Sequence, residues 1–145
     1  VSDSISKDVT MSAVIAVEQH LKAGVPVSKL VLGVPFYGRW WSGVNPDQKG
    51  LYQTANGSGG SFVYSTISDS LLSNGFSEYW DAEAKAPYLW NEKDSIFVTY
   101  ENKRSLKNKI DFVKNKGMRG VMFWQFNGDN GELTGTIAEE FQNKK

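Results

Sequence analysis

The stretch Leu30-Val-Leu-Gly-Val-Pro-Phe-Tyr-Gly-Arg-Trp-Trp41 constrains the fold more than any other part of the chain. Its first half, Leu30 to Phe36, is an uninterrupted apolar run of strand length. A strand with one wet face alternates apolar and polar residues. An unbroken run predicts a strand buried on both faces, as in a parallel sheet covered by helices. Tyr37, Arg39, Trp40 and Trp41 follow directly, each large and each with a polar tip or a flat face. In α/β folds, ligands sit beyond the carboxyl ends of the strands. The run therefore reads as core and the residues after it as one wall of a site. Alternation places Gly33, Pro35, Tyr37 and Arg39 on one face, directed toward the centre of the barrel or sheet.

The rest of the chain arranges itself around this strand. Ser12 to Ala23 reads as a helix with Val14, Ile15 and Leu21 on one face, capped by Thr10 or Ser12 and stopped by Gly24 and Pro26. Residues 1 to 9 read as a polar lead-in. Residues 104 to 116 form a second helix, with Leu106, Ile110 and Val113 as its stripe and Gly117 as its stop. A second buried strand, Val121 to Phe126, follows it. A last helix runs from about Thr136 to Phe141, with Ile137 and Phe141 inward. The order helix, strand, helix, strand, helix is a βαβ unit, which implies two parallel strands and a right-handed crossover. Between the strands lies a segment of different character, residues 42 to 103. Asn56-Gly-Ser-Gly-Gly-Ser61 reads as a flexible loop. It is no phosphate cradle, because neither a buried strand precedes it nor a Gly-Lys-Ser/Thr follows it. Thr66 to Ser73 reads as a helix, Phe76 to Asp81 as a strand, and Tyr88 to Tyr100 as a hairpin turning at Asn91 to Ser95. The fold class is thus α/β with an α+β insert, mostly antiparallel, placed at the carboxyl end of the first strand. The domains are residues 1–41 with 104–145, and residues 42–103. Two parallel strands neither close a barrel nor cover both their edges, so the α/β part reads as incomplete.

Composition narrows the function. Among 145 residues there are 16 Lys and Arg against 16 Asp and Glu, so no field draws the chain to nucleic acid or an anionic membrane. No apolar run approaches the roughly 20 residues of a membrane span. Cysteine is absent, which excludes a disulfide framework, a thiolate metal site and a cysteine nucleophile. The single histidine, His20, gives no pair for a metal and reads as a surface helix residue. The first residues lack both an initiator methionine and the regions of a signal peptide, and read as an internal start or a processed one.

Four close acidic pairs exist: Asp81/Glu83, Glu92/Asp94, Asp129/Glu132 and Glu139/Glu140. None projects from an apolar strand, where burial raises a carboxyl pKa enough to make an acid at neutral pH. They read as solvated, with Asp129/Glu132 in a mobile loop. The aromatics are the stronger signal. Trp124 ends one buried strand, and Tyr37, Trp40 and Trp41 end the other. Indole offers a broad apolar face with an N–H tip, which suits the flat C–H faces of sugar rings. Core packing is the bland alternative for each tryptophan, and a salt bridge holding the insert is the alternative for Arg39.

These stretches resemble family 18 glycoside hydrolases, the chitinases. Leu30 to Arg39 looks like their seventh barrel strand and Gly120-Val-Met-Phe-Trp-Gln125 like their eighth. Tyr79-Trp-Asp-Ala-Glu-Ala-Lys-Ala-Pro-Tyr-Leu-Trp90 and Phe97-Val-Thr-Tyr-Glu-Asn102 resemble the chitinase insertion domain. The resemblance implies the C-terminal part of a (β/α)8 barrel carrying that domain. It implies cleavage of β-1,4 bonds between N-acetylglucosamine units by a substrate-assisted, retaining route, an exception to the two-carboxylate scheme. It implies chitin or chitooligosaccharide as partner, no cofactor or metal, and a secreted, bacterial parent. Trp124 would form the floor under the sugar at the scissile bond. Tyr37 and Arg39 would contact substrate, Met122 would face the same pocket, and Trp80 and Asp81 would add contacts from the insert. The family's strand-four motif Asp-x-x-Asp-x-Asp-x-Glu, which carries the acid glutamate, does not occur in this sequence, nor does its strand-six Met-x-Tyr-Asp. The expectation is therefore a chain that supplies substrate contacts and no catalytic residue, inactive alone, with the remaining barrel or a second copy as its protein partner. The competing expectations are a non-catalytic, lectin-like chitooligosaccharide-binding module, and a structural domain without ligand.

Overall fold

The computed structural model describes residues 12–142, so the lead-in and the Thr10 cap fall outside it. In chain order the elements are α1 (Ala13–Lys22), β1 (Val31–Pro35), β2 (Tyr37–Trp41), β3 (Gly59–Val63), α2 (Tyr64–Thr66, continued by a π-turn over Ile67–Leu71), β4 (Ser77–Asp81), β5 (Ala86–Asn91), β6 (Ile96–Thr99), α3 (Lys103–Lys116), β7 (Gly120–Trp124) and α4 (Glu132–Gln142). Strands β1 and β7 pair in parallel, from Val31 opposite Gly120 to Pro35 opposite Trp124. The other five form an antiparallel sheet in the order β3-β2-β6-β5-β4. Strand β2, which a boundary at residues 41/42 leaves with the barrel residues, is hydrogen-bonded inside this second sheet.

The helices form where caps and stripes allow. Ser12 accepts a hydrogen bond from the Ile15 N–H at the start of α1. Asn102 and Ser105 make a reciprocal capping box at α3, and Gly117 ends it in the left-handed region at φ 68°. Leu106, Ile110 and Val113 are buried as expected. In α1 the buried residue is Val17, while Val14 is exposed, because α1 turns Val17 toward Leu32 and Val113. Helix α4 begins at Glu132, earlier than its apolar pattern suggests, and buries Leu133 and Thr136. Phe141 is exposed rather than inward.

Burial corrects the reading of the first strand. Leu32 and Val34 are buried, but Val31 on the opposite face is 45% exposed. The helices pack against one face, joining Val17, Leu32 and Val113 in one cluster and Val34, Leu106, Ile110 and Leu133 in another. The face carrying Val31, Gly33, Met122 and Trp124 has no covering layer among the described residues.

Gly38 stands where β2 crosses closest to its neighbours. A Cβ there would lie 2.6 Å from Cδ1 of Ile67 and 2.7 Å from the Thr99 carbonyl oxygen. Such overpacking costs roughly 1–3 kcal/mol. Gly38→Ala should lower the urea midpoint correspondingly. Gly135→Ala should raise stability by about 0.5–1 kcal/mol, since it removes a helical glycine and its Cβ meets nothing within 4 Å. Equal effects of the two substitutions in urea unfolding would contradict this packing.

Candidate functional site

The site is built at Phe36, the residue between β1 and β2. Its N–H donates to the Trp124 carbonyl at 2.6 Å, and its carbonyl accepts the Tyr64 N–H at 2.9 Å. Its fully buried ring stacks on Phe123, with centroids 4.6 Å apart and planes 4° from parallel. The end of β7 is thereby fixed beside the start of β2. From there alternation sends Tyr37, Arg39 and Trp41 to one face of the sheet. Across from them on β3 stand Val63, Ser61 and Gly59.

These residues enclose an open cavity of about 560 Å³, completed by Gly60, Trp124 and Gln125. Its volume lies within the range of about 300–1,000 Å³ usual for small-molecule sites. Tyr37, Arg39 and Trp124 thus converge. Met122 does not line the cavity; it lies two residues before Trp124 on the same uncovered face, half exposed. Its Sδ fills the space beside Gly33, 3.3 Å from where a Cβ would stand.

The Arg39 side chain is exposed and forms no ion pair or hydrogen bond among the described residues, which removes the salt-bridge alternative within them. The tips of Tyr37, Trp41, Ser61 and Trp124 are likewise unpaired there. Tyrosines elsewhere differ. Tyr52 donates to Asp81, Tyr64 to Glu132 at 2.7 Å, and Tyr100 to Glu78. Burial, reinforced by the accepting carboxylate, pushes Tyr52 up to about 12 and raises Tyr64 and Tyr100 as well. Those three hydroxyls stay protonated and serve packing.

The insert residues expected at the site lie elsewhere. The Arg104 guanidinium sits 3.8 Å from the Trp80 ring centre, covering that face. Asp81 is buried beneath Tyr52, and its Oδ1 accepts the N–H groups of Glu83 and Ala84. Neither lines the cavity.

The acidic pairs are also employed in structure. Asp129 is not free in solvent: it accepts the N–H groups of Leu133 and Thr134 and the Thr134 hydroxyl, capping the first turn of α4. Glu132 accepts from Tyr64 and pairs with Lys103 at 2.7 Å. Glu140 pairs with Lys107 at 3.2 Å, and Asp94 is held by Asn91. Among the described residues no carboxylate lines the cavity. Among the described residues no His, Asp or Glu cluster is arranged to hold a metal ion.

Strand β3 begins inside the stretch expected to be a loop, Asn56 to Ser61. Glycine weakens strands, yet here Gly59 and Gly60 lie against the indoles of Trp41 and Trp40. The signal was local: small residues facing an aromatic strand pair well across a sheet.

The pattern that defines the glycosyl hydrolases of family 18 matches residues 2–129. The chain belongs to family 18. It is 40% identical to chitinase A1 of Niallia circulans over 131 residues, covering 85% of this chain and 19% of that protein. It is 32% identical to chitinase B of Serratia marcescens, covering 87% and 31% respectively. Among solved structures, a family 18 N-acetylglucosaminidase from Paenibacillus barengoltzii superposes with a TM-score of 0.84 at 37% identity, over 93% of this chain and 40% of that one. A chitinase of Cycas revoluta, solved as a mutant in complex with (GlcNAc)4, gives 0.85 at 30% identity, over 94% and 40%. This chain therefore spans between about a fifth and two fifths of these relatives. Its fold is the C-terminal part of the family's (β/α)8 barrel with the insertion domain.

The α4 contacts make stability depend on acid. Burial alone would raise Asp129, but its hydrogen bonds from Thr134 and Leu133 outweigh that and leave it below its ordinary 3.8. The Lys103 ammonium, then the Tyr64 hydroxyl, hold Glu132 below its ordinary 4.5. Groups lowered in the folded state contribute stability above their unfolded values and lose it as pH falls through the folded ones. Melting temperature should be steady above about pH 5 and fall through pH 4 and below. Asp129→Asn with Glu132→Gln should flatten that fall; an unchanged slope would contradict the assignment.

Proposed function

We propose that this chain is the sugar-contact part of a chitinase that cleaves β-1,4 bonds between N-acetylglucosamine units. The observation that carries it is one cavity gathering Tyr37, Arg39 and Trp124 with unpaired tips and no carboxylate. Trp124 is the stacking floor. Tyr37 and Arg39 donate hydrogen bonds to the sugar, and Met122 extends the apolar surface beside Trp124. The relatives solved with (GlcNAc)3 and (GlcNAc)4 support chitooligosaccharide as ligand. The insert, beginning where β2 leaves Phe36, raises the wall of the cleft, and Trp80 and Asp81 hold that wall rather than the sugar.

In the substrate-assisted route the acetamide oxygen of the sugar attacks its own anomeric carbon as the glycosidic C–O bond breaks. An enzyme acid protonates the leaving oxygen, and water then opens the cyclic intermediate with retention. The chain's own residues orient the ring and exclude water beneath it. The acid comes from outside this sequence, supplied by the rest of the barrel as partner, in a parent protein that acts outside a bacterial cell. No helix among the described residues is long and apolar enough to cross a membrane. The lack of a cavity carboxylate equally equips a non-catalytic chitooligosaccharide-binding module, which is the second reading.

The purified chain should release no fluorophore from a chitobioside. Chitotetraose should quench its tryptophan fluorescence, and Trp124→Ala should weaken that binding by roughly tenfold or more. Turnover abolished by replacing Asp81, Glu83, Asp129 or Glu132 would overturn the absence of an acid. Absence of any binding would overturn the sugar-contact reading.

A further inference from the structure

The geometry points to Trp41 as a second stacking platform for the oligosaccharide, held in place by the bare backbone of Gly59, so that the pair sets how long a sugar chain the cleft favours. This rests on the proposed sugar site and adds residues to it. The five tryptophans divide by what covers them. Trp90 is buried, Trp80 lies under Arg104, and Trp40 stacks on Phe62 with centroids 5.8 Å apart. Trp41 and Trp124 line the cavity. Trp41 packs on one side against the buried cluster of Val44, Tyr88, Trp90 and Phe97, the Phe97 ring 6.5 Å away, while its Nε1–H has no acceptor among the described residues. A half-buried indole with one supported side and an unspent donor is equipped to take a ring and its hydroxyl.

Position along the strand gives the length dependence. Tyr37 starts β2 beside Trp124, and Trp41 ends it four residues on, about 13 Å away at strand rise. That span between the two ends of β2 exceeds the length of one pyranose ring, so an oligosaccharide is the ligand that reaches both ends. Arg39 lies between them on the same face, opposite Ser61.

Gly59 makes the platform available. A Cβ there would lie 3.2 Å from Cδ1 and 3.4 Å from Nε1 of Trp41, and 3.0 Å from the Trp40 carbonyl oxygen. A side chain at 59 would press on the pyrrole edge, so that the indole or the strand must give by a few tenths of an ångström. Glycine is required here for space, not for an unusual backbone angle.

The test titrates the 145-residue chain with chitobiose and chitohexaose by calorimetry. Trp41→Ala should weaken chitohexaose roughly tenfold and chitobiose less than about twofold. Gly59→Val should show the same length-selective loss, and Trp124→Ala should weaken both ligands. Trp41→Phe, which keeps a ring, should recover most of the chitohexaose affinity and serves alone if the alanine variant does not fold. Equal losses for both lengths, or none, in the Trp41 and Gly59 variants while Trp124→Ala still weakens binding would overturn this inference and leave the sugar site standing. A wild-type chain that binds neither length would overturn both.

Discussion

The backbone of Phe36 is the constraint on which the rest depends. Its N–H and carbonyl are spent on two different parts of the fold, the end of β7 and the start of α2. A buried peptide group must be paired, so these bonds fix where the parallel pair stops and the antiparallel sheet begins. The stacked Phe36 and Phe123 rings lock the same point from the side-chain direction. Gly128 completes it: a Cβ there would lie 2.8 Å from the Phe36 oxygen. Because the strand is pinned at this residue, period-two alternation decides the site. Tyr37, Arg39 and Trp41 are carried to the cavity face and Gly38 and Trp40 to the packed face. A register slip of one residue would exchange the two sets.

The same logic separates polar groups spent on the fold from those left without a partner among the described residues. Tyr52, Tyr64 and Tyr100 each end on a carboxylate, and each ties one segment to another: Tyr64 joins α2 to α4, and Tyr100 joins β6 to β4. Asp81, Glu132 and Glu78 are consumed in those ties, and Asp129 in capping α4. The cavity shows the opposite economy, with aromatic faces and donors unpaired among the described residues beside Arg39. That contrast, rather than the count of aromatics, distinguishes the cavity from a core.

Much of this was legible in the sequence. Leu30 to Arg39, Gly120 to Gln125 and the stripe of α3 gave the parallel pair and the crossover helix, because an apolar run and a capped 3.6-residue period are local signals. That Tyr37, Arg39 and Trp124 converge on one cavity was readable from the same runs. The burial of only one strand face was not, since the run that suits a fully covered barrel strand is identical whichever layers lie over it. Nor was β3, whose glycines favour strand pairing through the indoles across from them and not by their own propensity. The place of Trp80 and Asp81 away from the cavity was not legible, because their covering partners, Arg104 and Tyr52, lie more than twenty residues away in the chain. The early start of α4 was hidden by Asp129, a side-chain cap that apolar periodicity does not register.

The most direct test of the account follows the indole N–H signals of the five tryptophans in ¹H–¹⁵N spectra, each assigned by single substitution to phenylalanine. Addition of chitotetraose should move the signals of Trp41 and Trp124 and leave those of Trp40, Trp80 and Trp90 in place. Movement of Trp80 or Trp90 without Trp41 and Trp124, or stationary signals throughout, would contradict the assignment of the cavity as the sugar site.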